Sequence, residues 1–474
     1  MNTLENTITT MGLLSKEAYN VENFQIGAEI TANNQTYKVI DYANTTNDFQ
    51  ALLLKNESGK FVMAFRGTEL DSILDWLNDV SIGLANINEQ YNDAKEFLDK
   101  AFIKIAEDKK CSIEEVKNYL VLTGHSLGGI LTQQVGATYG IKGYAFNPYG
   151  TDRLLSLPQS PFDGITSNFL YGLLTSLAEK VMSAVGLTKA NAQWAYEHIY
   201  NISYQDEGLL NGDILSNLAT ELSSNHLGHF IPILGENVGF GEGHYMETLN
   251  TAIAEYNEIV KKFDNSCRYE DITNMYLSTA IIHGSGYKKV QDEFKKLGIL
   301  NGNGANDKIA NNSLHLEVIT KDTDATSIFS GSNLSTPALY ALVNLNPFIV
   351  SNINSNAYSE LERYKDEYNK NYVSDKAKMF KALMDTPKVG SYYDDYETGK
   401  KISYYTSVTD PDSTDEYNLT DTAYTFGTNK NDIVTASVGK ANRIYTLAGD
   451  DRITLSSGSN YKFINLNLLV AWIF

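Results

Sequence analysis

From residue 37 to residue 149, short apolar runs of strand length alternate with longer amphipathic stretches. Residues 49–55 and 61–65 are two such runs, separated by Asn56, Glu57, Ser58 and Gly59, which have the composition of a turn. Residues 92–109 place Ala94, Phe97, Leu98, Ala101, Phe102 and Ile105 at helical spacing. The run at 119–122 is again of strand type, 129–138 suits a helix, and 141–146 and 199–204 read as further strands. A helix-like stretch covers 245–259. This alternation predicts an α/β fold, a sheet covered by helices on both faces. The regularity is interrupted by an insertion at 150–196, where Leu154, Leu155, Phe169, Leu170, Leu173, Leu174 and Leu177 recur largely at helical spacing. Beyond 262 the pattern weakens. Helix-like pieces such as 356–384 alternate with Asn-rich polar stretches, which predicts a mainly helical region at 263–415.

One junction in this pattern carries chemistry. The apolar run Tyr119-Leu120-Val121-Leu122 leads into Gly124-His125-Ser126-Leu127-Gly128. A Gly-x-Ser-x-Gly between a buried strand and a helix is a nucleophile elbow: a tight turn that holds the serine in strained geometry with its hydroxyl presented. The glycines must be small because strand and helix approach closely. The amides at the start of the following helix can meet a developing negative charge. The bland alternative is a serine in an ordinary strand-to-helix turn.

The elbow resembles that of the class 3 lipases of the α/β-hydrolase superfamily, and an upstream motif makes the resemblance specific. Phe61-Val62-Met63-Ala64-Phe65-Arg66-Gly67-Thr68, followed by Asp75-Trp76 and Asp79, is similar to the family's strand ending in Phe-Arg-Gly-Ser/Thr. The resemblance spans about 37–248 and implies an α/β-hydrolase domain at 1–262. It assigns Thr68 to the oxyanion hole, with the N–H of Leu127 as second donor. Arg66 reads as a structural ion-pair partner or as a substrate-binding cation. A serine hydrolase also needs a base and an acid, in the order Ser, Asp, His. Of seven histidines, His125 sits inside the elbow, His198 precedes every candidate acid, and His226 and His229 fall in or beside the family's His-x-Gly. His244 ends a glycine-rich loop and opens a helix-like stretch, the expected place of the base. For the acid, Asp213 in Asp213-Ile214-Leu215-Ser216-Asn217-Leu218 resembles the family's Asp-x-Val-Pro-x-Leu, while Asp206 stands nearer to a strand end; both stay open. The insertion at 150–196 is either a helical layer on the core or a lid over the serine, although the family's usual lid follows Thr68, through Leu74 and Trp76.

Near the C-terminus the period changes once more. Asp432, Asn442, Asp451 and Asn460 fall 10, 9 and 9 residues apart, and the first three precede an apolar residue, Val434, Ile444 and Ile453, by two positions. With Gly427, Gly439, Gly449 and Gly458 this resembles a degenerate RTX nonapeptide repeat, which implies a short calcium-binding parallel β-roll at 416–474 with Asp432, Asn442 and Asp451 as ligands. The alternative is a polar linker with chance periodicity. The apolar end, 466–474, is a capping strand or an uncleaved export signal.

Composition sets the outer limits. A chain of 474 residues can bury a large core in two or three domains. The 58 acidic against 38 basic residues leave −20, which argues against nucleic acid as a partner. Cys111 and Cys267 do not make a disulfide framework. The first 20 residues lack the basic and apolar regions of a signal peptide, and no stretch approaches the roughly 18 apolar residues of a membrane span. The expectation is a secreted lipolytic serine hydrolase without a catalytic cofactor, acting on phospholipid or acylglycerol at a lipid interface. Structural calcium and type I export follow from the RTX resemblance. An esterase of soluble esters and a calcium-dependent toxin or adhesin module with an inert hydrolase scaffold are the alternatives.

Overall fold

The computed structural model describes residues 3–46, 48–67, 73–148, 189–206, 227–238, 242–300, 313–330, 334–384, 392–403, 422–438, 440–455 and 461–463, with backbone alone at 3, 73–89, 189–192, 206, 403 and 461–463. The chain divides into two compact units, 1–260 with 268–273, and 261–267 with 274–474.

The first unit is built on an eight-stranded sheet whose spatial order follows the chain, β1 to β8. Strands β1 (Glu29–Ala32), β2 (Gln35–Asn44), β3 (Gln50–Asn56) and β4 (Phe61–Phe65) are antiparallel neighbours. From β4 the sheet is parallel, through β5 (Leu120–His125), β6 (Gly143–Phe146), β7 (Ile199–Asp206) and β8 (His229–Gly235). Parallel strands need crossovers, and helices α2 (Ile73–Lys109), α3 (Leu127–Tyr139) and α4 (Lys189–His198) lie on three of them. The result is a mixed α/β architecture with a large, mostly parallel sheet, compatible with an α/β-hydrolase-like fold.

Alternation along the strands shows which helix covers which face. Phe61, Met63, Phe65, Leu120 and Leu122 join one buried cluster with Ala94, Leu98 and Ile105 of α2 and Leu131 and Val135 of α3. The intervening Thr123 points the other way, where its hydroxyl donates to the carbonyl of Met11 at 3.1 Å. That second face is covered by α1 (Thr3–Glu17), packed beside α5 (Met246–Val260). Helix α1 has no counterpart in the expected elements. Helix α2 begins at Ile73 rather than at 92, because nothing upstream breaks it: 73–91 holds no proline, and Ile73, Trp76, Leu77, Val80 and Leu84 continue the helical spacing. Strand β8 replaces what read as loop around His229 and Gly235; its Pro232 is tolerated because β8 is an edge strand. Among the described residues no helix is long and apolar enough to cross a membrane.

The second unit carries helices α6 (Tyr269–His283, which begins in the first unit's range), α7 (Tyr287–Leu297), α8 (Ala325–Ile328), α9 (Thr336–Val343), α10 (Asn356–Arg363) and α11 (Lys370–Met384). Strands β9 (His315–Val318) and β10 (Phe348–Ser351) form an antiparallel pair. Then comes a parallel coil. Strands β13 (Thr422–Phe426), β15 (Ala441–Tyr445) and β17 (Tyr461–Phe463) stack in one sheet, β14 (Ile433–Thr435) and β16 (Arg452–Thr454) in another. Thr422 pairs with Ala441, Ile433 with Arg452 and Asn442 with Tyr461, so one full coil takes 19 residues. The repeat of nine to ten residues is therefore half a coil, alternating between the two sheets. Val434, Ala436 and Ile444 are buried between them, and Ile453 packs against the same cluster. The larger sheet also takes in the hairpin β11 (Tyr392–Asp395) and β12 (Lys400–Ser403), with β11 parallel to β13, so it draws on residues upstream of 416. Lys376 of α11 reaches Asp395 of β11 at 2.5 Å, both fully buried. Cys111 and Cys267 are free thiols.

Candidate active site

The parallel strands β4 to β8 end on one edge of the sheet, where open α/β sheets place their ligands. Arg66, Ser126, Asn147 and Asp206 each stand at or just past one of these ends. Ser126 has φ 55° and ψ −119°, left-handed backbone that non-glycine residues rarely adopt. Its surroundings enforce the turn. A Cβ on Gly128 would lie 2.3 Å from the carbonyl oxygen of Phe65, and one on Gly124 2.2 Å from that of Gly128. The Ser126 amide donates to Phe146 O at 3.0 Å, and its carbonyl accepts from Gly129 and Ile130, closing the first turn of α3. Leu127 is the first residue of that helix, where amides have no partner within the helix.

His244 arrives from 118 residues downstream. It closes the short 3₁₀ turn Glu242–His244 just before α5, and its Nε2 lies 3.0 Å from Ser126 Oγ. Burial, with His125 adding to it, lowers its pKa well below the usual 6.5, so the imidazole is neutral at pH 7. Two side chains hold its backbone. Asn147 donates through Nδ2 to the carbonyls of Gly243 at 3.0 Å and His244 at 2.8 Å, and accepts the Tyr204 amide at 2.8 Å. His125 Nε2 lies 2.7 Å from the same His244 carbonyl. The two imidazole rings are tilted, with centroids 4.9 Å apart. His125 Nδ1 in turn meets the Tyr19 hydroxyl at 2.6 Å, and burial pushes the His125 pKa down to about 4.

The structure thus brings Ser126, Leu127 and His244 together. Thr68, Asp213 and His226 lie outside the described residues, as do 150–188 of the insertion. Asp206 ends β7, paired with Gly235, and only its backbone is described, so the two candidate acids stand as they did. Arg66 pairs with Asp48 at 3.8 Å, and its guanidinium lies 5.8 Å from the centre of the Tyr19 ring. His198 stacks on Trp194 and His229 is exposed beside Tyr196 and Tyr200. Sequence reasoning missed Tyr19 and Asn147 and gave His125 no role. Asn147 left a weak signal, an Asn-Pro pair closing a strand; Tyr19 left none, since its partner is 106 residues away.

In the coil, Asp432 and Asp451 meet, because they precede β14 and β16 at the same register. Asp451 Oδ1 accepts the Asp432 amide at 2.9 Å, and Asp432 Oδ2 accepts the Thr428 amide at 2.7 Å. Asn442 lies in the other sheet and closes its own turn on Ser437 and Lys440. Calcium takes six to eight oxygen ligands. Among the described residues these three do not converge on one point; Asp432, Asn442 and Oδ1 of Asp451 accept hydrogen bonds within the coil, and no group of three His, Cys, Asp or Glu side chains is placed to hold a metal.

Residues 10–154, which include Tyr19, Arg66, Ser126 and Asn147, match the family model of the Tle-like phospholipase domain, a phospholipase-like family. The match supports a phospholipase- or lipase-like chain and a lipid hydrolase. No curated protein matches. Among solved structures, the capsule O-acetyltransferase of Neisseria meningitidis serogroup A, a mutant in complex with CoA, aligns over 49% of this chain and 99% of its own at 16% identity. Its TM-score of 0.23 is too low to carry an argument.

Proposed function

We propose that the chain is a serine carboxylic ester hydrolase of the phospholipase A1 or lipase type, as the resemblance to class 3 lipases implies. The observation that carries this is the 3.0 Å approach of His244 Nε2 to Ser126 Oγ on a strained elbow, inside a unit whose first part matches a phospholipase-like family. In this reading the neutral His244 takes the Ser126 hydroxyl proton while Oγ attacks an ester carbonyl carbon. The resulting oxyanion is met by the N–H groups of Leu127 and Thr68. The ester C–O bond then breaks, His244 gives its proton to the leaving alcohol, and water attacks the acyl-enzyme by the same route in reverse. Asp213 or Asp206 orients the imidazole and balances its transient charge. No step requires a metal.

The test is fatty-acid release from phosphatidylcholine vesicles, from a triacylglycerol emulsion and from a soluble p-nitrophenyl ester, wild type beside Ser126→Ala. Release from vesicles, lost by at least about a thousandfold in the variant, is expected. Release from the soluble ester alone would move the reading to an esterase. Release from none would leave the hydrolase unit as a scaffold.

A further inference from the structure

Two polar residues behind the nucleophile have no part in that mechanism, yet they touch its geometry. Tyr19 Oη lies 2.6 Å from His125 Nδ1, and His125 Nε2 lies 2.7 Å from the His244 carbonyl oxygen. We propose that Tyr19 and His125 are positioning residues: a hydrogen-bond chain of fixed polarity that runs from the Tyr19 hydroxyl through the His125 ring to the backbone of His244. The inference rests on reading Ser126 and His244 as nucleophile and base.

The polarity follows from the chemistry of the ends. A carbonyl oxygen only accepts, so His125 Nε2 carries the proton. The ring is 5% exposed and neutral, its pKa pushed down to about 4 by burial, so Nδ1 carries a lone pair and Tyr19 must be the donor. Each member therefore fixes the next. Without the Tyr19 hydroxyl, the His244 carbonyl still keeps the proton on Nε2, but the Nδ1 lone pair loses its donor in a dry site and nothing holds that edge of the ring. The ring would then tilt, and its Nε2–H would point less squarely at the His244 carbonyl. Asn147 still holds that carbonyl at 2.8 Å, so the expected loss is partial. The base is displaced by a fraction of an ångström, which is enough to slow proton transfer while leaving substrate binding alone.

Tyr19 is itself held at the elbow. Its ring lies 5.8 Å from the Arg66 guanidinium, and a Cβ placed on Gly67 would come within 2.5 Å of its hydroxyl and 3.0 Å of Ser126 Cβ. Tyr19 belongs to the 3₁₀ turn Ala18–Asn23, directly after α1. The N-terminal helix, which covers a face of the sheet, thus also delivers a group to the rear of the catalytic serine.

The experiment uses the full chain and a fluorophosphonate probe, which reports the reactivity of Ser126 whatever ester is the natural substrate. Tyr19→Phe keeps the ring over Arg66 and removes only the hydroxyl. Labelling and kcat are expected to fall roughly tenfold, with KM and the unfolding temperature close to wild type. His125→Gln, which can return an N–H to the His244 carbonyl, should retain more activity than His125→Leu. Tyr19→Phe should cost nothing further in the His125→Leu background. Labelling of Tyr19→Phe at the wild-type rate would overturn the chain alone, as would losses that multiply in the double variant. A wild type that does not label would overturn the serine–histidine reading, and this inference with it.

Discussion

The elbow of the first unit and the coil of the second are both parallel ladders with polar side chains at their turns, but they use those side chains in opposite ways. In the coil, Asp432 and Asn442 close their own turns. Thr428 meets Asp432 four residues away and Asn442 meets Ser437 five residues away, and the contact between Asp432 and Asp451 spans one coil. At the elbow the partners are 118, 119 and 106 residues apart. Local pairing satisfies acceptors and leaves little for a ligand. Long-range pairing fixes the backbone of His244 and leaves its Nε2 facing a strained serine. Polar residues at turns become chemistry only when tertiary contacts hold the backbone and a reactive atom is left over.

The largest effect is expected from removing the long-range partner of the serine. His244→Ala is expected to lower kcat by at least about a thousandfold while far-ultraviolet circular dichroism stays unchanged, since its ring supplies the base rather than the fold. Gly128→Ala comes next. The new methyl meets the Phe65 carbonyl at 2.3 Å, and overpacking of this kind costs about 1–3 kcal/mol, read as a lower denaturation midpoint together with lost activity. Asn147→Asp keeps the shape but removes both donors to the 243–244 carbonyls. A tenfold to hundredfold loss in kcat is expected (about 1.4–2.7 kcal/mol), with a smaller change in KM.

Acid sharpens the contrast further. His125 and His244 are neutral when folded and titrate near 6.5 when unfolded, so the unfolded chain binds more protons as pH falls. Their contribution is complete above about pH 6.5 and drains away below it; for His125 alone the decline runs to about pH 4 and is on the order of 3 kcal/mol. Urea titrations between pH 7 and 4 should show that decline, and the acid limb of kcat/KM should fall below pH 6.5. The smallest effect is expected in the coil. Asp432 and Asp451 already accept hydrogen bonds there, so a chelator should move the unfolding midpoint by less than about 2 °C. A large shift on chelation would return calcium to the coil.

Much of the frame was legible because it is written in local periodicity. The strands around Leu53, Met63, Leu122 and Ala145, the helix behind Ser126 and the half-coil spacing at Val434, Ile444 and Ile453 all follow from apolar positions that must face a core. The elbow was legible because its glycines are demanded by atoms a few residues away. Helix α1 was not: its buried face mixes Glu5, Thr10 and Ser15 with Ile8, Met11 and Leu14, so no clean apolar stripe marks it. Strand β8 was obscured by Pro232, which only its edge position permits.

The chain by itself determined the candidate nucleophile, the candidate base and the α/β alternation, since each depends on residue type and near-neighbour spacing. The tertiary structure alone decided what stands behind them. That Asn147 and His125 share one carbonyl, that Tyr19 caps His125, and that Asn442 parts from Asp432 and Asp451 depend on where strands and coils bring distant residues together. A side chain's type states what it can donate or accept. Only the fold states to which atom.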